Sequence, residues 1–283
     1  METSRARGRP RSFHDSGLGT RIRALDRAID VLRVVAGGDG MSLTEISGAA
    51  GQPAATVYRI LITLEAHKIV TFDEGSQLWQ IGIEAYRIGT GFLRRTKLVE
   101  QARPVLQRIM HETGETANMA IIDQGEVVFL TQVETHEPIR AFFRPGTRGP
   151  IHASGIGKAV LAFQRPERIE ALLNGHRFET FTDTTIINRE KMLEELTRIR
   201  ARGWAVDNEE RTRGMRCVAA PIFNEYGEAV AGISLSGPSV RVTPDRDEAF
   251  GRTIRAAADE ITLATGGTPE KRIGGATAGF SAP

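Results

Sequence analysis

Cysteine is almost missing from this 283-residue chain, in which Cys217 is the single example. One thiol cannot form an internal disulfide, and it excludes zinc sites built from several cysteines. No apolar run approaches the roughly 18 residues of a membrane span, and the Arg-rich N-terminus lacks the apolar segment of a secretory signal. With an ordinary apolar content of 40%, these absences predict a cytoplasmic protein with no metal ion or cofactor.

A strong net charge is missing too, because 37 Lys and Arg nearly balance 35 Asp and Glu. The balance of +2 excludes a uniformly basic coat for nucleic acid but leaves room for local patches. Residues 1–23 carry six Arg against two acidic residues, a net charge of +4. We expect this arm and the Gly-rich tail at 266–283 to be disordered. The length between them suggests two domains.

The segment 24–83 has the pattern of three short helices and a hairpin. Ser42 and Glu45 have the spacing of a capping box before the second helix, and Pro53 suits the first turn of the third. Two short extended pieces at 69–72 and 78–81 flank a Gly-containing loop. This order predicts a winged helix-turn-helix domain, whose third helix fits the major groove of DNA.

The third helix has one apolar face and one face suited to DNA. A solvated amphipathic helix is the plain alternative, but the ordered set of cap, turn, proline and hairpin favours DNA binding. Side chains on this face can reach base edges, phosphates or a thymine methyl group. The candidate contacts are Gln52, Ala54, Thr56, Tyr58 and Arg59.

The predicted DNA-binding domain is itself acidic. Residues 24–83 hold four basic and seven acidic side chains, a net charge of −3, although DNA affinity comes largely from phosphate neutralisation. The basic arm, through Arg9 and Arg21, and a basic linker helix predicted at 84–98 can supply the missing charge. Within the arm, residues 7–10 resemble an AT-hook core, with an unstructured solubilising tail as the equal alternative.

Residues 99–265 alternate helices with apolar strands, which predicts an α+β domain on an antiparallel sheet. The strands are predicted at 117–123, 126–133, 139–143, 216–223 and 230–236. The helices are predicted at 100–113, 158–163, 166–173, 189–202 and 245–265.

Three segments of this domain could form a pocket for a small anion. Residues 152–158 form a small-residue loop that opens a helix, where free N–H groups favour a carboxylate or phosphate. Asp207 and Cys217 follow, and Ser234 and Ser236 share one face of a strand. Taken singly, each has an ordinary structural explanation: a turn former, a buried core thiol and sheet filler.

Several segments in order resemble the IclR family of bacterial transcription regulators. They include RALDRAIDVLRVVA, WQIG, HASGIGKAVLA, the stretch from GWAVDNEE to MRCVAAPIF, and GISLSGP. The resemblance covers about residues 21–265. It implies an N-terminal winged helix that dimerises and a C-terminal effector domain with a GAF-like fold. It also implies a homodimer or homotetramer on a pseudo-palindromic operator.

Within that family, the resemblance is to members that respond to glyoxylate and pyruvate. It implies that an oxo-acid contacts the amides of Gly155 and Ile156, the latter standing where an alanine is familiar. The other implied polar contacts are Asp207, Cys217, Ser234 and Ser236. The expected apolar wall is Met119, Leu130 and Leu235.

The sequence therefore predicts a DNA-binding regulator that senses a small 2-oxo acid, with glyoxylate first. A regulator that senses another small or aromatic carboxylate is the alternative. An oxo-acid-processing enzyme with Asp207 as base and Cys217 as nucleophile is less favoured, since Cys217 lies in an apolar run with no adjacent His. A DNA-binding architectural protein without a ligand is a further rival.

Overall fold

The computed structural model describes residues 22–269, apart from the side chains of 92–96. The chain divides into two compact units, one ending at Arg95 and the other beginning at Thr96. The predictions for the arm, including Arg9 and Arg21, and for residues 270–283 lie outside the described part. No helix within it is long and apolar enough to cross a membrane.

The first unit has the order predicted for a winged helix-turn-helix. A capping box opens its second helix, since Ser42 Oγ accepts from the Glu45 N–H and Glu45 Oε2 accepts from the Ser42 N–H. Gly51, at a φ of +60°, ends that helix in the left-handed region. Pro53 caps the third helix instead of lying within its first turn. The elements are α1 Arg23–Gly37, α2 Leu43–Ala50, α3 Ala54–Ala66, β1 Val70–Asp73, β2 Leu78–Ile81 and α4 Ile83–Thr96.

A small apolar core fixes the three helices against the hairpin. Val31 of α1, Ile46 of α2 and Leu61 of α3 are fully buried in it together with Trp79 of β2. Met41 also joins the hairpin, because its backbone pairs with that of Trp79. The third helix therefore has a fixed inner face, and this determines which residues face outward.

The second unit is built on a six-stranded antiparallel sheet in the order β5-β4-β3-β8-β7-β6. This arrangement confirms the predicted α+β class. Its strands are β3 Thr116–Asp123, β4 Glu126–Val133, β5 Arg148–Pro150, β6 Ala205–Asn208, β7 Met215–Phe223 and β8 Ala229–Pro238. Its helices are α5 Leu98–Thr113, α6 Gly155–Ala162, α7 Pro166–Leu173, α8 Arg189–Arg202 and α9 Asp247–Ala264.

The sheet separates two apolar cores. Residues of α5 and α9 pack on one face, where Leu106, Ile109 and Ile254 are fully buried. Residues of α6, α7 and α8 pack on the other face, where Leu161 and Leu196 are fully buried. Alternate residues of each strand enter opposite cores, so strand parity decides which side chains can reach a site beside α6.

The predicted strand at 139–143 is wrong. The backbone of this segment forms hydrogen bonds with a side chain and not with a neighbouring strand. The Gln132 amide accepts from the Phe143 N–H and donates to the Ala141 carbonyl. The third strand of this edge is β5, which pairs with β4.

The predicted disordered tail starts too early. The Gly267 N–H donates to the Thr262 carbonyl, and a side chain at this buried glycine would overlap the Phe223 carbonyl oxygen. Residues 266–269 therefore continue the packed structure beyond α9.

Candidate functional site

The third helix presents the outer surface that a DNA-reading helix needs. Val57 and Leu61 face the core, whereas Tyr58 is half exposed and Arg59 is exposed. Ala54 is exposed and Thr56 is partly buried. These four candidates keep surface that a duplex could contact.

Gln52 does not belong to this surface as predicted. Its Nε2 donates to the Arg27 carbonyl of α1 at 3.3 Å, and its Oε1 is buried without a partner in the described part of the chain. The residue precedes the helix, so helical spacing is no guide to its direction. Sequence reasoning also missed Ile62, which is 42% exposed and shares a helical stripe with Ala55 and Arg59.

The hairpin beyond α3 is held by its own turn. Asp73 Oδ1 accepts from the Gly75 N–H at 3.0 Å, and Oδ2 accepts from Ser76 Oγ at 2.6 Å. These bonds lower the pKa of Asp73. Residues 73–77 include two acidic side chains and no basic one, so the hairpin would approach a phosphate through backbone N–H groups and not through charge.

The second unit contains a cavity of about 340 Å³ beside the N-terminus of α6. The strand register explains its polar wall, because Asp207 pairs with Cys217 across β6 and β7, and Cys217 pairs with Ser236 across β7 and β8. The cavity brings together all six of the polar positions singled out from the sequence. They are Gly155, Ile156, Asp207, Cys217, Ser234 and Ser236.

The start of α6 forms one end of the cavity. Ser154 caps the helix by accepting from the Gly157 N–H at 3.3 Å. The N–H groups of Gly155 and Ile156 come first in the helix, where no intrahelical acceptor exists and the helix dipole favours an anion. A Cβ at Gly155 would lie 2.8 Å from Cys217 Sγ, so only glycine allows this close approach.

The buried hydroxyl groups of Ser234 and Ser236 line the cavity wall next to α6. They contact Asn118, which was not predicted from the sequence. Ser234 and Ser236 have their Oγ atoms 3.3 Å apart. Asn118 Nδ2 lies 3.4 Å and 3.2 Å from these oxygens, and Asn118 Oδ1 accepts from Gln132 Nε2 at 2.9 Å. An asparagine within an apolar strand was the available signal, since buried amides need partners.

Two carboxyl groups share a single buried cation next to the cavity. Lys158 Nζ is fully buried, pairs with Glu210 and donates to the Val206 carbonyl at 2.6 Å. Asp207 Oδ1 accepts from the Glu210 N–H at 2.8 Å. Burial raises the pKa of Asp207 and raises that of Glu210 to about 7, while Lys158 opposes both shifts. The cluster therefore tends to hold a proton.

Cys217 is not an activated nucleophile. Burial, and secondarily the charge of Asp207, raises the pKa of its thiol to about 11, although Ser236 and Ser234 oppose the shift. His152 is engaged elsewhere: its Nε2 lies 2.9 Å from the Glu179 carbonyl oxygen and its Nδ1 lies 2.9 Å from His176 Nε2. The thiol is therefore neutral near pH 7, which does not suit the catalytic role of the enzyme alternative.

The predicted apolar wall is wrong. Met119 and Leu235 point into the core under α5 and α9, as alternation with Ser234 and Ser236 requires. Leu130 packs against the same core at a register shift of β4. The apolar residues that line the cavity are instead Val127, Phe129, Ala141, Phe142, Phe143, Ala153, Ile156 and Met215.

Three arginines also line the cavity. Arg216 is buried and makes a bidentate pair with Asp247 at 3.0 and 2.8 Å. Arg140 Nε donates to Glu134 Oε2 at 2.8 Å. The third, Arg211, is partly buried.

Comparison with known proteins places both units in one family. Residues 24–74 match the IclR helix-turn-helix domain, and residues 90–263 match the bacterial transcriptional regulator IclR C-terminal domain. The chain is 50% identical over 274 residues to the HTH-type transcriptional regulator BhcR of Paracoccus denitrificans, covering 95% of this chain and 97% of the relative.

The fold of the chain is similar to that of solved IclR-family structures. The IclR protein of Thermotoga maritima superposes with a TM-score of 0.74 at 30% identity, covering 86% of this chain and 99% of that one. An IclR homolog of Microbacterium hydrocarbonoxydans, crystallised with 4-hydroxybenzoate, superposes with a TM-score of 0.75 at 23% identity over 86% of this chain and 98% of that one.

The matched domains and the named relative are described as transcriptional regulators, and not as enzymes. The chain belongs to the IclR family of bacterial transcriptional regulators.

Proposed function

We propose that this regulator senses a small carboxylate, with glyoxylate as the first candidate, in the cavity beside α6. The observation that carries the proposal is the convergence there of the first amides of α6 with two hydroxyls, a thiol and a carboxyl group. Amides at a helix N-terminus favour the carboxylate of a ligand. The hydroxyl groups of Ser234 and Ser236 can donate to its remaining oxygens.

An aromatic carboxylate is the second candidate. Phe129, Phe142 and Phe143 line the cavity, and its volume of about 340 Å³ exceeds the need of a two-carbon acid. The relative crystallised with 4-hydroxybenzoate belongs to the same fold.

We further propose that α3 reads the operator through its exposed face. Arg59 would contact a base edge or a phosphate, and Tyr58, Thr56 and Ala54 would lie alongside. The comparison of Arg59→Ala with Arg33→Ala on the upstream DNA of the gene tests this role. Arg33 is an exposed arginine of α1, 3.5 Å from Asp30. We expect a clear loss of operator affinity only for the first variant, and equal losses would contradict the assignment.

A homodimer or homotetramer on a pseudo-palindromic operator is part of the proposal. Apolar side chains of α1, namely Leu25 and Ile29, are 56% and 40% exposed. Ile83 and Tyr86 of α4 are 68% and 69% exposed. Large exposed apolar groups of this kind suit a self-complementary contact between subunits. Because the target is chromosomal DNA, we propose that the protein works in the cytoplasm.

The regulatory step follows from linkage. A carboxylate that binds one arrangement of the oligomer more tightly shifts the population toward it, and operator affinity changes by the same coupling free energy. A coupling of about 1–3 kcal/mol is enough for a switch.

Isothermal titration calorimetry with glyoxylate, pyruvate and 4-hydroxybenzoate tests the effector class. Binding of at least one acid, lost in Ser234→Ala with the fold intact, is the expected result. Heat from none of the three would favour the ligand-free architectural alternative.

A further inference from the structure

Arg211 lies between two neighbouring cavities and lines both of them. Together with Gly149 it lines both the effector cavity and a neighbouring cleft that contains Arg148, Arg168 and Arg177. Arg211 is partly buried. Burial dominates and raises the pKa of Asp207, while the positive charges of Lys158 and, less strongly, of Arg211 oppose that rise. The charge of Arg211 therefore acts on a carboxyl group that lines the cavity.

The other cations around the cavity are already neutralised. Lys158 pairs with Glu210, Arg216 with Asp247 and Arg140 with Glu134. Over residues 22–269, by contrast, the structure gives Arg211 neither an ion pair nor a hydrogen bond. A partly buried guanidinium group without an acceptor is a strong donor for a carboxylate, to which it can bond through two N–H groups.

Gly149 provides the place where this guanidinium group lies. A Cβ at Gly149 would overlap Nη1 of Arg211 and would lie 3.4 Å from its Cζ, and the atoms that it would meet within 4 Å belong to Arg211. A methyl group at position 149 would therefore displace the arginine head and leave the rest of β5 in place.

We propose that Arg211 is a specificity-determining residue of the effector site, and that it supplies the full positive charge for the carboxylate of the ligand. This inference rests on the proposed function. The α6 amides carry only partial charge, and Asp207 in the same cavity opposes an anion whenever it is ionised. Arg211 offsets this repulsion and makes the site select acids over their neutral analogues.

Calorimetry of the full-length protein tests the inference, with whichever of sodium glyoxylate, pyruvate and 4-hydroxybenzoate binds the wild type most tightly. We expect Arg211→Ala to weaken binding about 10- to 100-fold, the range for a lost charge-assisted hydrogen bond. Arg213→Ala, which removes an exposed arginine paired with Asp183, should leave the affinity unchanged. The methyl ester of the same acid should bind the wild type and Arg211→Ala equally weakly.

Gly149→Ala supplies an independent arm. It should weaken binding in the wild-type background and have no further effect in the Arg211→Ala background, because its sole target is the arginine head. If Arg211→Ala does not fold, Arg211→Lys and Gly149→Ala decide by the same comparison. Unchanged affinity in folded Arg211→Ala overturns the role of Arg211 while the effector site stands. A wild type that binds none of the three acids overturns both.

Discussion

A carboxylate ligand should bring a proton with it into the effector cavity. Asp207 and Glu210 are buried beside Lys158, and burial raises the pKa of both carboxyls, to about 7 for Glu210. A bound carboxylate adds a further negative charge to the cluster and raises both pKa values again. Above about pH 7, the complex should therefore hold more protons than the free protein.

The sign and the size of the effect follow from linkage. A complex that takes up protons loses affinity as the pH rises, by at most about tenfold per pH unit for one proton. The positive charge of Arg211 offsets part of the added negative charge, so the measured slope should lie between zero and this limit. At pH values well below the pKa values of the free protein, the proton is already present and the affinity should level off.

Calorimetry between pH 6.5 and 8.5, in two buffers that differ in ionisation enthalpy, measures both the slope and the proton uptake. Asp207→Asn keeps the shape of the side chain but removes one of the two titrating carboxyl groups, so it should reduce the slope. Asp183→Asn is the matched control, because its carboxylate is 90% exposed and lies outside the cavity. An affinity independent of pH, with no proton uptake in either buffer, would refute this reasoning.

Three further changes have definite expected results. Lys158→Met leaves the Glu210 carboxylate buried without its cation and should lower the free energy of unfolding by about 3–5 kcal/mol in urea titrations; Lys158→Met/Glu210→Gln should recover much of the loss, and no loss in the single variant would contradict the pairing. Gly155→Ala places a methyl group 2.8 Å from Cys217 Sγ, so it should abolish ligand heat while operator affinity persists, and normal ligand binding would show that the α6 amides are not used. Deletion of residues 1–20 removes basic charge from a protein whose reading domain is acidic, so it should lower operator affinity and flatten the plot of log affinity against log salt; an unchanged slope would exclude the arm from DNA binding.

Local signals predicted most of the elements correctly. The capping box at Ser42 and Glu45 opens α2 as expected. The strands predicted at 117–123 and 126–133 form β3 and β4, and Gln124 and Gly125 make the turn between them with φ values of +51° and +84°, which suit a two-residue turn. Such features depend on a few adjacent residues, so the sequence contains the information that they need.

The errors arose where distant residues decide the outcome. Residues 139–143 have enough apolar side chains for a strand. Their backbone groups, however, form hydrogen bonds with the Gln132 side chain and not with a neighbouring strand. Leu130 lies at an irregularity of the β3–β4 register that no local pattern announces. Leu235, by contrast, could have been excluded from the cavity wall on the basis of the sequence alone. A residue between Ser234 and Ser236 must face the opposite side of the strand.

The sequence predicted most of the polar residues of the cavity, but it did not predict Asn118 or the phenylalanines that line it. Asp207, Cys217 and the two serines meet because the β6–β7–β8 register aligns them. Asn118 contacts the two serines from β3, which lies more than a hundred residues before them in the chain. Phe142 and Phe143 line the cavity from an irregular segment, which strand and helix periodicity cannot locate.

The most direct test of the central claim is an anisotropy titration of the full-length protein on its own upstream DNA, with and without glyoxylate, pyruvate or 4-hydroxybenzoate. At least one acid should change the operator affinity of the wild type by about 5- to 150-fold. Asp207→Ala should keep the ligand-free affinity and lose this change. A wild type that is indifferent to all three acids, or an undiminished response in Asp207→Ala, would contradict the account.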